Sequence, residues 1–423
     1  MKTMKILLAF PRPLVPADTG GKIRSLQIFS RLSERAEIHA ISQADPDKDA
    51  EGVREMRRMF ASYTPVYWKE SVKYSSGFYV DLLKNRLTTM PYFIEKFCRA
   101  DFRRALGELA ESHKFDVLFC DFLQTATPAL QLPLRPRVVF QHNVEYMLRK
   151  RQWEAEKSPI RRYIFATEWK RTHAVESQVC RSFDHTIAVS DQDQLAFEKE
   201  FGVKNISTIP TGVDADYFRP QSVPEETGKV VFVGSMDWYP NEDGILWFLR
   251  EVFPQIKKHV AKASLTVVGR NPSPTLIAIA AGLPGVTLTG RVDDVRPYVA
   301  QAEAVIVPLR VGGGTRIKIP EAMAMAKTVI STRIGAEGLP FENRSEIVLE
   351  DEGHSFAAAA VELLKNGELR KAIGNAARER VVREHSWESV VDRVEETLRT
   401  VKDGKSVDEH LVAAPQMAQV PED

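Results

Sequence analysis

The chain has 423 residues, enough for two or three ordinary domains, and its 43% apolar and 27% charged residues exclude a disordered or fibrous polymer. Its three cysteines, Cys98, Cys120 and Cys180, are far apart with no C-x-x-C spacing, so neither a disulfide framework nor a zinc site follows from them, and they read as reduced, cytosolic thiols. The formal net charge of +1 hides an asymmetry: residues 1–210 carry 33 Lys and Arg against 26 Asp and Glu, and the remainder carries 25 against 31. The basic first half suits either a solvated cationic face or a surface that meets an anionic membrane or a phosphorylated substrate.

In chain order, the opening "MKTMKILLAFPRP" has an apolar run, Ile6–Phe10, that is too short for a signal segment and meets Pro11 and Pro13, so it reads as a first strand. No run approaches the roughly eighteen apolar residues of a spanning helix, and an integral membrane protein is not expected. Short continuous apolar runs then alternate with helix-length segments. They are "KILLAF", "AEIHAIS", "DVLFCD", "RVVFQH" and "HTIAVS", followed by "KVVFVG", "SLTVVG", "GVTLTG", "AEAVIVPL" and "KTVIST". Continuous rather than alternating strands are buried on both faces, as in parallel sheets covered by helices. The expected fold class is therefore α/β, with two doubly wound Rossmann-like domains.

Residues 144–182 read as helix, broken at Ser158-Pro159, with Arg and Lys interleaved among Trp153, Tyr163, Phe165 and Trp169. Such a segment suits core aromatics with solvated cations, or a surface that rests on lipid or lines an acceptor groove. The stretch 209–229, with three prolines and two glycines, reads as the linker. The expected domains are 1–214 and 215–384, then a final helix over 385–402 and a disordered tail, 403–423.

In open α/β sheets ligands sit beyond the carboxyl ends of the strands, and four strand-tip loops carry candidate residues. The first holds Gly20 and Gly21 at the start of a helix, where backbone N–H groups and the dipole favour an anion, although a simple turn would use the same residues. The second places His142 at the end of "RVVFQH", suited to a substrate hydroxyl or to charge developing in a transition state, or to a structural hydrogen bond. The third, "FVGSMDWYPNEDG", offers Gly234 and Ser235 at the strand tip, with Asp237 free to cap or contact ligand and Asn241 expected as the cap of a helix from near Glu242.

The fourth loop, "RVGGGTRIKIPEAMA", carries Gly312, Gly313, Gly314 and Thr315, whose N–H groups would form an anion nest at the head of a helix starting near Thr315. Arg316 and Lys318 add cations suited to a diphosphate. Glu321 adds an acceptor suited to a pair of ribose hydroxyls. Together they describe a nucleoside diphosphate. Neither half shows the G-x-G-x-x-G spacing, which weighs against a dinucleotide oxidoreductase.

These residues resemble the retaining, two-domain GT-B glycosyltransferases of the family 4 group. The resemblance rests on "IPTGVDADYFRP", on "FVGSMDWYPNEDG" and on "GGGTRIKIPEAMAMAKTVISTRIGAEGL". It implies a nucleotide-sugar donor bound by the second domain, a glycan, lipid-linked or small-molecule acceptor bound by the first, and transfer of a hexose-type sugar with retention. It further implies catalysis without a metal. No other cofactor and no nucleic-acid partner are expected. The reduced thiols suit a cytoplasmic protein, and the basic first half suits peripheral contact at the membrane's inner face as one reading beside a solvated cationic face. The Gly20-Gly21 loop would then meet the diphosphate or sugar, His142 the sugar, and Glu321 the ribose. The chain departs from the family pattern twice. Position 313 is glycine where the family's first E-x7-E carboxylate stands, so the Gly312–Thr315 N–H groups are expected to meet the sugar's 3- and 4-hydroxyls. Ser235 opens a loop without the usual Arg and Lys, so Arg316 and Lys318 are expected to serve the diphosphate. A noncatalytic nucleotide-sugar-binding protein and a sugar-nucleotide epimerase of the same fold are the competing readings.

Overall fold

The computed structural model describes residues 3–72, 75–156, 158–311 and 317–407. They form two compact units, one of Met1–Pro210 joined by the chain from Val390, the other Thr211–Ser389. The first division falls a few residues before the 214/215 boundary expected from the linker. Thr211–Val213 already belong to the second unit because the Val213 N–H donates to the His385 carbonyl at 2.7 Å. Gly212 also lies so close to Trp387 that a Cβ there would sit 2.4 Å from the indole.

The first unit is built on seven strands, β1 (Lys5–Ala9), β2 (Glu37–Ala44), β3 (Ser62–Tyr67), β4 (Val117–Asp121), β5 (Arg137–Phe140), β6 (His185–Ala188) and β7 (Ile206–Thr208). Their spatial order is 3-2-1-4-5-6-7, and every pairing is parallel. The second unit has six, β8 (Lys229–Val233), β9 (Ser264–Val268), β10 (Val286–Gly290), β11 (Ala304–Val307), β12 (Val329–Ser331) and β13 (Val348–Leu349), in the order 10-9-8-11-12-13 and again parallel. The central strands are buried along their length; all five residues of β4 are enclosed. That double-sided burial is why their sequences run continuously apolar. The ten expected strands are present. β3, β7 and β13 add to them, and all three lie at sheet edges.

The helical stretch after β5 breaks where Pro159 demands it, into Glu145–Ala155 and Pro159–Ser182, with the proline at the second helix's start. The Glu176 carboxylate accepts from the N–H groups of Glu145 and Tyr146 at 2.9 and 2.8 Å. It thereby caps the first of these helices and fixes the chain just beyond His142. The final helix, Trp387–Lys402, carries Asp392 and Lys402 into ion pairs with Arg35 and Asp116 of the first unit. The expected tail lies largely outside the described residues. None of the described helices is long and apolar enough to cross a membrane.

Candidate active site

Each sheet reverses its winding once, between β1 and β4 and between β8 and β11. At such a point the loops leaving neighbouring strands turn to opposite faces and open a crevice beyond the strand tips.

In the first unit the chain leaves β1 and enters the helix Gly20–Ser33, whose first turn is capped by Thr19 and holds both glycines. β4 ends at Asp121 and β5 at Phe140, which pair directly. His142 follows β5 and is buried, 5% exposed. Its Nε2 lies 2.6 Å from Asp121 Oδ1, and the Ser25 hydroxyl donates to the other carboxylate oxygen at 2.6 Å. Phe122 stacks on the imidazole, with centroids 3.8 Å apart and planes within 9°. To do so it holds φ at 71°, a left-handed backbone that costs an aromatic residue on the order of 1–3 kcal/mol. Behind the ring the fully buried Arg24 guanidinium lies over Phe140 and donates to the Ile209 carbonyl.

This arrangement fixes the chemistry of His142. Burial holds its pKa below the ordinary histidine value, although Asp121 pulls the other way, so the ring is neutral at neutral pH. A carboxylate can only accept, so the ring hydrogen sits on Nε2 and Nδ1 is left as an acceptor. Nδ1 is buried and has no hydrogen-bond partner among the described residues. It faces the helix start: a Cβ on Gly21 would lie 3.9 Å from it, and 2.7 Å from Phe122 Cζ. An unsatisfied acceptor is suited to a ligand hydroxyl, and the helix N-terminus beside it favours negative charge. Gly21→Ala is expected to force Phe122 off the imidazole and to cost about 1–3 kcal/mol in chemical denaturation. Wild-type stability in that variant would refute the close packing.

In the second unit β8 ends at Val233, and Gly234 and Ser235 follow it. The Gly234 carbonyl is approached so closely that a Cβ on Gly269 would sit 1.8 Å from it, and a Cβ on Gly234 itself would lie 2.7 Å from both Asn241 Nδ2 and Lys318 Nζ. The Lys318 ammonium donates to Asn241 Oδ1 at 2.8 Å and lies 4.4 Å from the Phe232 ring centroid, so it is held at the β8 tip. Asn241 donates back to the Ser235 carbonyl at 2.8 Å. Asn241 is thus not the expected cap. The helix already starts at Tyr239, with Pro240 in its first turn, and Asn241 is a buried bridge between strand tip and lysine.

The helix after β11 starts at Lys318 and runs to Ala324, later than the expected Thr315, with Pro320 accommodated in its first turn. Gly312, Gly313, Gly314, Thr315 and Arg316 lie outside the described residues. Glu321 stands one turn from Lys318 on the same face. Burial pushes its carboxyl up to about 7, with Lys318 opposing. The cation missing from the loop after β8 has a counterpart at the tip of the next strand: Arg270, just beyond β9, donates to the Ser235 hydroxyl at 2.9 Å and pairs with Asp237 at 3.3 Å. Asp121, Ser25 and Arg270 were not among the expected site residues. Asp121 and Arg270 each stand at or just past the end of a continuous apolar run, the same signal that singles out His142.

Residues 26–217 match the family model described as Glycosyltransferase Family 4, and residues 227–366 match the one described as Glycosyl transferases group 1. An uncharacterized 44.6 kDa protein in the cps region of Klebsiella pneumoniae is 22% identical over 361 residues, which is 83% of this chain and 88% of that one. The GDP-mannose-dependent alpha-(1-6)-phosphatidylinositol monomannoside mannosyltransferase of Mycobacterium tuberculosis is 28% identical over 236 residues, 50% of this chain and 60% of its own. Among solved structures, Anabaena HepE in complex with UDP superposes with a TM-score of 0.66 at 13% identity, covering 94% of this chain and 100% of that one. Sucrose-phosphate synthase from Thermosynechococcus elongatus gives 0.65 at 17% identity, covering 95% and 100%. At these identities the structures speak to the fold, which is GT-B.

Proposed function

The chain belongs to the group 1, family 4 glycosyltransferases, and from that premise we propose that it moves a hexose-type sugar from a nucleoside diphosphate sugar to a glycan, lipid-linked or small-molecule acceptor, retaining the anomeric configuration without a metal. The observation that carries the reading is the buried Nδ1 of His142, an acceptor without a partner among the described residues and aimed at the glycine-rich helix start of the first unit. The second unit supports it with Lys318 held at the β8 tip and Glu321 one turn further on. Two neighbours point the same way: HepE was solved with UDP and with UDP-glucose, and the mycobacterial relative is named for GDP-mannose.

In this reading the second unit holds the diphosphate through Lys318, Arg316 and the N–H groups of Gly312–Thr315, with Gly234 and Ser235 at the strand tip and Arg270 beside them. Glu321 accepts from the ribose hydroxyls. As the bond between C1 and the phosphate oxygen breaks, its electron pair goes to that oxygen. The acceptor hydroxyl attacks C1 from the face being vacated, and its proton passes to the departing phosphate oxygen. His142, neutral and presenting Nδ1, accepts a sugar hydroxyl and orients it, so no carboxylate nucleophile is required. A thermal-shift panel of nucleotide sugars identifies the donor. Transfer assays with chelator present and NMR of the product anomer then follow. Stabilisation by one donor and a retained anomer are expected. An inverted product, loss of turnover on chelation, or donor conversion without any acceptor would each overturn part of the proposal.

A further inference from the structure

The chain around His142 is held at two points. On one side the Gln141 N–H donates to the Ile187 carbonyl of β6 at 2.8 Å. On the other, Glu176 reaches across from the Pro159–Ser182 helix, and its two carboxylate oxygens accept the N–H groups of Glu145 and Tyr146. Val144, which stands in the capping position of the Glu145–Ala155 helix, makes no side-chain hydrogen bond there. The helix start, and with it the segment that carries His142, therefore depends on a single carboxylate that lies thirty-one residues beyond Glu145.

Little offsets the charge of that carboxylate. Glu176 is fully buried, and the groups that act on it are acids: Glu145 on the capped helix and Asp193 on the helix Asp191–Phe201. The Cys180 thiol on its own helix and the Tyr146 hydroxyl, pushed up to about 12, stay neutral beside it. The bases nearby are committed elsewhere. Arg149 lies 3.7 Å from Glu145, His173 lies 2.7 Å from Glu200, and the charges acting on the buried Arg24 are Asp121 and Asp193. Burial, the largest influence, pushes the Glu176 carboxyl up to about 8, while the two N–H groups pull it down. When ionised, both oxygens accept. When protonated, one becomes a hydroxyl, a poorer acceptor that must itself find a partner, so one of the two N–H bonds weakens.

We propose that Glu176 is a positioning residue, which seats His142 through the two backbone N–H groups it accepts, and that proton uptake on its carboxyl loosens that seat. Asp121 and Phe122 fix the imidazole ring itself, whereas Glu176 fixes the backbone that delivers it. With the anchor on β6 unchanged and the anchor at the helix start weakened, the chain between them gains freedom at His142. A consequence for turnover rests on the transferase reading; the proton-linked displacement of His142 does not.

The test follows two readouts of the full chain from about pH 6.5 to 9.5. One is kcat for sugar transfer at saturating donor and acceptor. The other is the NMR signal of His142 Cε1–H in the unliganded protein, identified by its loss in His142→Ala. Burial keeps the imidazole neutral across this interval, so neither readout reports its own titration. In wild type kcat is expected to rise about fivefold between pH 7 and pH 9, and the His142 signal to move with a midpoint at about 8. Glu176→Gln keeps the shape and one acceptor but cannot ionise. Its kcat is expected to be flat with pH, within about twofold of wild type at pH 7 and about tenfold below it at pH 9, with KM for donor matching wild type at each pH. Its His142 signal stays still. A wild-type kcat or His142 signal that is flat through 8 overturns the proposal, and wild type alone suffices for this should the variant not fold. A glutamine variant that keeps the wild-type profiles overturns it too. If wild type transfers no sugar while its His142 signal shifts and that of Glu176→Gln does not, the transferase reading falls and the seating role stands; transfer without either pH response sinks the seating role alone.

Discussion

His142→Ala is expected to lower kcat for sugar transfer by about 10²–10³-fold, equivalent to roughly 3–4 kcal/mol of transition-state stabilisation, with donor affinity changed only a few-fold. The imidazole has one acceptor, Nδ1, without a partner among the described residues, and its geometry is fixed from three sides: by Asp121 at 2.6 Å, by the Phe122 ring and by the Gly20–Ser33 helix start. Such a fixed acceptor costs no reorganisation when the sugar's charge develops. Asp121→Asn makes the more discriminating variant. It preserves the shape but offers the ring an N–H as readily as a C=O, so a share of molecules takes the other tautomer and presents a donor at Nδ1. A loss of about tenfold to a hundredfold in kcat follows, with KM for donor little changed. Ser25→Ala removes only the second donor to the carboxylate and is expected to cost less. If His142→Ala turned over at the wild-type rate, the orphan acceptor would be a structural accident.

Why His142 was legible in the sequence and Asp121 was not follows from what each depends on. His142 stands two residues past an uninterrupted apolar run, and a polar residue leaving a buried strand needs a polar partner in solvent, ligand or protein. Asp121 ends such a run, but its meaning comes from lying beside β5 and beneath Ser25, ninety-six residues away in sequence. Periodicity says which faces are buried and nothing about which strand neighbours which. The same limit explains the edge strands. β3 carries Pro65 and polar residues, and β7 is only Ile206–Thr208, so neither shows the continuous apolar signature of a strand covered on both faces. Asn241 was misread for a local reason. A proline in the first helical turn marks a start earlier than the acidic cluster does, and Pro240 stands there. The exposed helix Ser76–Asn85 is the reverse case: its composition resembles a core helix, and only the coordinates reveal that its apolar side chains are not covered.

Donor affinity is expected to rise with pH through about 7, and the rise is expected to vanish in Glu321→Gln. Burial pushes the Glu321 carboxyl up to about 7, the largest influence on it, while Lys318 pulls in the opposite direction. Hydroxyls donating to it require the ionised form. Below pH 7 the ligand therefore competes with a proton, and the apparent Kd weakens about tenfold per pH unit. Above 7 it reaches a plateau. The effect on the free protein has the opposite sign. A carboxyl whose folded pKa is raised above its unfolded value contributes stability at low pH and loses it as pH climbs through the folded value. The nucleotide sugar's stabilising shift in Tm should then be larger at pH 8 than at pH 6, while the unliganded protein loses stability over the same interval. Charge-assisted bonds at roughly 1.5–3 kcal/mol each, against about 0.5–1.5 for the neutral bonds a glutamine keeps, put the plateau difference between wild type and Glu321→Gln at roughly thirtyfold or more for two hydroxyls, and the gap should narrow about tenfold at pH 6. The nucleotide sugar is the proper ligand here, since a free nucleoside diphosphate adds a phosphate that titrates near 6. A flat wild-type profile, or the same rise in the glutamine variant, would remove Glu321 from the donor site.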